Sequence, residues 1–238
     1  PVNGPDHLKE AGKPIGHQNR YLAVGNYETI DDVFNNAQTG SINSVAPGQV
    51  VPGDFIYIDF DSNGILNGQD KVAVDELNYP LHTYGLNLGF DWKGLSFSAM
   101  FYAPTGVYKL VDSVYSASFK SGKINAQPDV MNAWTPETAN TSGVRAPALH
   151  LTNDGAFNGT ESTYRYQNFS YLRLKTMELG YNLPKKWLKT VGLKSLQVYV
   201  TGNNLLTWWG GDDRIDPEGG QVKYPILRSF TSGVRVSF

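Results

Sequence analysis

The segment Ser229-Phe230-Thr231-Ser232-Gly233-Val234-Arg235-Val236-Ser237-Phe238 alternates with a period of two. Phe230, Val234, Val236 and Phe238 fall on one face, and Thr231, Gly233, Arg235 and Ser237 on the other. Successive side chains of a strand point to opposite faces, so this run predicts a strand that is apolar on one side and polar on the other. Such a strand suits a wall with lipid outside and water inside. A soluble sandwich has the same period in the reverse sense, apolar face inward, and the period does not separate the two.

Composition narrows the classes. The chain has 238 residues and a net charge of −2. That charge, without a basic patch, leaves no footprint for nucleic acid. No apolar run approaches the roughly 20 residues of a membrane-spanning helix, which an alternating barrel strand does not need. With 14 Tyr, 11 Phe, 5 Trp and 25 Gly, the chain is rich in residues of strands, tight turns and interfacial belts. It has no Cys, which excludes disulfides and thiolate metal sites.

Further strands follow from the same alternation. A weak candidate lies within 16–27, around Tyr21-Leu22-Ala23-Val24, and a long polar stretch runs from Glu28 to Pro80. Leu86, Leu88, Phe90 and Trp92 share one face of a strand, and Leu95, Phe97, Ala99 and Phe101 share a face of the next. Lys93-Gly94 between them predicts a tight hairpin. The region 104–164 is a long connection, in which Val107 to Phe119 suits a short helix or an extra strand. Tyr166 to Leu183 is strand-like, but its phase slips: Leu172 and Leu174 are even, whereas Met177, Leu179, Tyr181 and Leu183 are odd. A β-bulge near Lys175-Thr176 accounts for the slip. A helical turn is expected around Trp187-Leu188, a strand over Ser195 to Leu206, and a Gly- and Asp-rich loop from Trp208 to Tyr224 before the closing strand, 227–238.

The fold class read from this pattern is all-β, an antiparallel transmembrane β-barrel segment of about six to eight strands. Connections alternate long and short, as in outer-membrane barrels with long extracellular loops and short periplasmic turns. On that orientation Tyr181 and Trp187 stand at the inner aromatic girdle with Phe238 on the same side, and Trp208 and Trp209 stand at the outer girdle. Arg173, Lys175 and Arg235 are candidate lumen-facing residues, lining a solvated wall or touching cargo. About six crossings do not close a barrel, which begins at about eight. The remaining wall is expected outside these residues, as is the signal peptide that an outer-membrane chain carries when made.

Asp59-Phe60-Asp61-Ser62-Asn63-Gly64-Ile65-Leu66-Asn67-Gly68-Gln69-Asp70, within the loop 54–78, fits the calcium-binding loop of EF-hands. Asp59, Asp61 and Asn63 offer oxygens at the first, third and fifth positions, and Gly64 allows the sharp turn at the sixth. The Ile65 carbonyl, Asn67 and Asp70 complete the set. Ca²⁺ takes six to eight hard oxygens, which this spacing gathers about one point. Asp in place of Glu at the last position reaches less far, and a polar turn without metal is the alternative reading. In either case the loop orders structure and does not catalyse.

No catalytic arrangement competes. There is no Gly-x-Ser-x-Gly elbow and no phosphate loop, since Gly12-Lys13 is followed by Pro14. His7, His17, His82 and His150 lack ligand spacing, and Asp212, Asp213, Asp216 and Glu218 read as a solvated loop. The chain is expected not to be an enzyme.

Three ordered blocks carry a family resemblance: Tyr171-Leu172-Arg173-Leu174-Lys175, then Leu179-Gly180-Tyr181-Asn182-Leu183-Pro184, then Leu196 to Thr207 with Gly202-Asn203-Asn204. Gly12-Lys13-Pro14-Ile15-Gly16, Pro52-Gly53-Asp54 before Asp59 to Gly64 and Asp70, Trp134-Thr135-Pro136-Glu137, and Tyr224-Pro225 before the last strand continue it. Together they resemble the C-terminal end of SusC/RagA-type TonB-dependent transporters, and the terminal Phe238 resembles the recognition signal of outer-membrane barrels. The resemblance implies a 22-stranded barrel with a plug, of which this chain is the last third or so. It implies import of oligosaccharides or peptides across the bacterial outer membrane, powered through TonB and capped by a SusD-like surface lipoprotein. Plug and TonB-binding box belong to parts outside these residues. Two alternatives remain: a complete small outer-membrane barrel of the adhesin or anchor type, with two further strands, and a soluble carbohydrate-binding β-sandwich using Trp134, Trp208 and Trp209 as stacking platforms.

Overall fold

The computed structural model describes residues 5–9, 11–35, 50–111, 133–139, 146–149, 158–211, 215–219 and 224–238. It falls into two compact units, one of Pro1–Asn78 and Lys109–Gln167, the other of Tyr79–Tyr108 and Asn168–Phe238. Among the described residues, no helix is long and apolar enough to cross a membrane. Residues 112–119, His150, Asp212 and Asp213, named above, lie outside the described residues.

The first unit is built from short pieces. Strand β1 (Gln18–Arg20) pairs antiparallel with β4 (Val72–Val74), and β2 (Ala23–Asn26) with β3 (Phe55–Tyr57). A helix, α1 (Ile30–Asn35), follows β2; the Asp32 carboxylate accepts from the backbone of Glu28 and Thr29 there. Tyr21, Tyr27, Phe55, Tyr57 and Leu66 form the buried core. Asp54 and Asn158 brace it: the Asn158 amide donates to Asp54 at 2.7 Å and its oxygen accepts from the Phe55 N–H at 3.0 Å. Arg20, fully buried, pairs with Glu76 and lies 3.0 Å from the centroid of the Tyr166 ring. A buried guanidinium needs such partners, because its desolvation is costly.

The second unit is one antiparallel sheet of long strands: β5 (His82–Trp92), β6 (Leu95–Thr105), β9 (Tyr171–Asn182), β10 (Ser195–Trp209) and β11 (Ser229–Ser237), in the order β11-β10-β9-β6-β5. Short β7 (Tyr108–Leu110) and β8 (Tyr166–Asn168) pair with each other. The β5–β6 hairpin turns through Lys93 and Gly94, both at positive φ (46° and 88°), as a two-residue primed turn requires. A Cβ on Gly94 would also sit 2.8 Å from the Asn182 carbonyl oxygen. Between β9 and β10 the chain makes one helical turn, α2 (Lys185–Leu188). The hairpin turn and this connection lie at one end of the sheet, and the longer connections leave from the other.

Two expectations are corrected here. The sheet contains five strands among the described residues, not six, because the candidate around Tyr21–Val24 divides into β1 and β2 and pairs in the first unit. The stretch from Glu28 to Pro80 is not loop throughout; it contributes α1, β3 and β4.

Candidate functional site

Cross-strand rows show what the sheet presents. Trp92, Leu95, Tyr181, Val198 and Val234 form one row, and Phe90, Phe97, Leu179, Val200 and Ser232 the next. These rows alternate with Asp91, Ser96, Gly180, Tyr199 and Gly233, then Gly89, Ser98, Glu178, Thr201 and Thr231. One face is therefore apolar across all five strands, and it is uncovered: Leu88, Phe90, Leu179, Val200 and Val234 are all about half exposed or more. In water such a patch is far beyond what monomers tolerate.

The other face is a hydrogen-bonded polar ladder. Arg235 donates to Glu178 at 3.0 Å and to Gln197 at 2.8 Å, and Thr201 donates to the same Glu178 at 2.9 Å. Gln197 donates to Ser96 at 3.2 Å, and Asn203 links Thr176 (3.3 Å) to Ser229 (3.2 Å). Tyr199 lies flat across Gly233, where a Cβ would come within 2.6 Å of its hydroxyl, and Arg235 sits 4.0 Å from the ring centroid. Glu178, Gln197, Thr201, Asn203 and Arg235 thus all find partners on their own face.

The phase slip in β9 is a bulge at Lys175. Met100 pairs with Thr176 and the next residue, Phe101, with Leu174, so Lys175 is extra against β6. On the other side Asn203 pairs with Thr176 and Leu206 with Leu174, while Asn204 takes φ of 53°. Beyond the bulge Leu172, Leu174, Leu206 and Trp208 join the apolar face, and Tyr171, Arg173 and Thr207 the polar one.

The lumen-facing candidates are not free cations. Arg173 is buried and donates to Asp216 at 2.8 Å, to Glu218 at 2.9 Å and to Thr207 at 2.9 Å. Lys175 reaches Glu218 at 2.6 Å. Asp216 and Glu218, expected as solvated loop, are instead the counter-charges of these two residues. Burial pushes the Asp216 carboxyl up, but the Gly219 and Glu218 N–H groups and Arg173 outweigh it and hold it below the usual carboxylate range.

Of the aromatics expected at membrane interfaces, Tyr181, Trp187, Trp208 and Phe238 are exposed. Trp209 alternates to the opposite face from Trp208 and packs on buried Phe169, ring centroids 5.2 Å apart.

In the first unit the acidic loop is tightly turned. The carboxylates of Asp59, Asp61 and Asp70 bring ligand oxygens within 4.8 Å of one another. Asp59 accepts from the N–H of Asn63 (3.2 Å) and Gly64 (2.6 Å), so the first position closes the turn onto the fifth and sixth. Gly64 has φ of 78°, the left-handed conformation the turn needs. Buried Asp70 accepts from the N–H of Phe60 (2.9 Å) and Asn67 (2.6 Å), and Leu66 anchors the loop in the core. Asn63 donates to Asp61 at 2.8 Å, the Asn67 amide donates to the Ile65 carbonyl at 3.1 Å, and the Asn67 oxygen caps the Gln69 N–H at 2.8 Å. Desolvation pushes the Asp59 carboxyl up, but the Gly64 and Asn63 N–H groups, with Asp61 and Asp70, outweigh it and hold it below the usual range. Three clustered carboxylates are a donor set that a hard cation fits.

No family model matches the chain. Among curated proteins, "TonB-dependent receptor P3" of Formosa agariphila is 30% identical over 206 residues, covering 80% of this chain and 20% of the relative. "TonB-dependent receptor P26" of the same organism is 31% identical over 207 residues, covering 79% and 20%. The chain thus spans about a fifth of the length of the curated relatives it matches. Among solved structures, the RagAB peptide importer in the open-open state matches with a TM-score of 0.65 at 24% identity, over 93% of this chain and 22% of that one. The closed-closed state of the same importer gives 0.65 at 23%, over 93% and 23%. The exposed apolar face, the polar ladder and these relatives agree: the chain belongs to the TonB-dependent receptors of the bacterial outer membrane, a family of transporters and not of enzymes, and its fold is that of part of a RagA-type barrel.

Proposed function

We propose that the chain is the C-terminal barrel wall of a TonB-dependent importer of oligosaccharides or peptides, working beneath a SusD-like surface lipoprotein. The observation that carries this reading is the two-sided sheet, apolar and uncovered on one face and hydrogen-bonded and polar on the other. Lipid covers the first face; the lumen, with the plug supplied by the rest of the receptor, meets the second. The remaining strands complete a wall of about 22 and remove the open edges of β5 and β11, which lipid does not tolerate. The closing strand 227–238 ends at the periplasmic side with Phe238, near Tyr181 and Trp187. Trp208 lies at the outer interface, and 54–78 and 104–164 stand on the extracellular side. RagAB, by its description, imports peptides; uptake of labelled peptides against labelled oligosaccharides by cells carrying the complete receptor assigns the cargo class.

Spin labels at positions 198, 199, 200 and 201 of the complete receptor in a bilayer test the two faces. Oxygen, which concentrates in lipid, is expected to reach 198 and 200 and to be low at 199 and 201. Low values at 198 and 200 would mean that protein covers the apolar face, as in a sandwich, and the reading would be wrong.

The Asp59–Asp70 loop is proposed to take Ca²⁺, with Asp59, Asp61 and Asp70 as carboxylate ligands and Asn63, the Ile65 carbonyl and Asn67 completing the shell. Bound ion orders the loop; at a hundredfold excess over Kd it stabilises by about 2.7 kcal/mol. Hydrogen exchange of residues 55–74 in the complete receptor, with Ca²⁺ and with chelator, reads this directly. Asp61→Ala is expected to abolish the Ca²⁺ effect and to loosen the chelated loop less than Asp70→Ala does, because the Asn63 N–H that Asp61 accepts keeps its bond to Asp59 at 3.2 Å and no backbone donor is left unpaired. Asp70→Ala is expected to loosen the loop in both conditions, by about 1–3 kcal/mol for each backbone donor left unpaired. Identical protection with Ca²⁺ and chelator would refute the site.

A further inference from the structure

We propose that the segment 215–219 is an ion-paired strap, fixed on the inner face of the wall by Arg173 and Lys175, which narrows the lumen at the end from which the long connections leave. The proposal rests on the barrel reading above, since only a closed wall makes the polar face a lumen.

Three observations carry it. First, the strap is docked and not merely nearby: Ile215 and Pro217 are buried, and the Arg173 side chain beneath them is almost fully enclosed. Second, the charges match in spacing. Arg173 and Lys175 are two residues apart on β9, and Asp216 and Glu218 are two apart on the strap, giving contacts at 2.8, 2.9 and 2.6 Å. Asp216 also holds its own turn, accepting from the Glu218 N–H at 2.9 Å and the Gly219 N–H at 3.0 Å. Third, the bulge makes the arrangement geometrically available. Uninterrupted alternation from Thr176 would turn Leu174 and Leu172 inward and Arg173 toward lipid. The extra residue at Lys175 reverses this and delivers Arg173 to the strap. Tyr102 and Tyr171, with Trp209 on Phe169, pack the same end of that face.

Two measurements on the complete receptor test the strap. A water-soluble carbodiimide condenses a Lys amine with a touching carboxylate; the amine nitrogen bonds to the carboxyl carbon and the carboxyl oxygen leaves on the urea by-product. Mass spectrometry is expected to find an amide joining Lys175 to Glu218, lost in Lys175→Arg. In parallel, a single cysteine in place of Asn203, on the inner face, is labelled from outside by maleimide-polyethylene glycols of graded size. Asp216→Asn with Glu218→Gln is expected to raise the labelling rate for the larger reagents about tenfold, because all three charge-assisted contacts are weakened. These changes lie outside the strands, and the spin-label alternation at 198–201 reports that the wall still assembles. With that alternation intact, absence of the cross-link or an unchanged labelling rate would overturn the strap alone; loss of the alternation in the unmodified receptor would overturn the barrel reading instead. If the double variant does not assemble, the cross-link in the unmodified receptor decides.

Discussion

Leu179→Arg in the complete receptor is expected to destabilise the folded barrel by about 2–4 kcal/mol. Leu179 sits in the middle strand of the sheet, in the row of Phe90, Phe97, Val200 and Ser232. Its side chain is half exposed, and the proposed solvent on that side is hydrocarbon. A guanidinium there has neither water nor an acid in reach, since Glu178 and Asp91 belong to the opposite face. Thr231→Arg is the control. Thr231 pairs with Thr201 on the polar face, where Glu178 already receives hydrogen bonds, so the change is expected to cost less than about 1 kcal/mol. Urea titration in lipid vesicles, followed by the heat-modifiable electrophoretic shift of intact barrels, measures both. Equal losses would show that the two faces do not differ in solvent.

Phe55→Ala is expected to cost about 3–5 kcal/mol of local stability in the first unit. The ring is almost entirely buried, with centroids 4.4 Å from Tyr164 and 6.3 Å from Tyr57. A unit built from strands of three or four residues has little ladder to fall back on, so the aromatic cluster holds it together. Leu66 shares that cluster, and the acidic loop therefore loses its anchor when the ring is removed. Hydrogen exchange of residues 20–27 and 55–74 is expected to approach that of an open segment, and any Ca²⁺ protection to vanish. Ile58→Ala, at an exposed position next to the cluster, is expected to change exchange by less than about 0.5 kcal/mol. A Phe55→Ala effect no larger than that of Ile58→Ala would remove the cluster as the source of stability.

What the sequence makes legible follows the reach of each signal. The long strands are written in alternation that persists for nine to fifteen residues, and the β5–β6 hairpin in Lys93-Gly94 between two such runs. Even the bulge is visible, because the apolar residues of β9 change parity between Leu174 and Met177. The pairings β1–β4 and β2–β3 are hidden for the converse reason: three or four residues do not establish a period, and their partners are distant. For the same reason the strand count is one too high. The ionic strap is non-local, with Asp216 lying 43 positions from Arg173, and no local pattern announces it. One clue was present: two basic residues and two acidic residues, each pair spaced by two. In the acidic loop the spacing anticipates the turn closed by Asp59 and Gly64, but the burial of Asp70 and Leu66 depends on a core that the sequence alone does not assemble.

The sheet also dictates an order of events during assembly. β5 and β6 are joined by a two-residue turn, and β9, β10 and β11 follow one another along the chain, so each group can zip up by closing comparatively short loops. The seam between β6 and β9 is different. It brings Ala99 opposite Met177, and the intervening chain must be spanned before the first rung forms. Loop-closure entropy is lost before a distant contact returns any energy, so the seam is the slow step, and it waits on the first unit, which much of that chain helps to build. Damage in the first unit, at Phe55 for example, should then surface as a kinetic defect in the wall itself: two finished pieces of sheet awaiting their join.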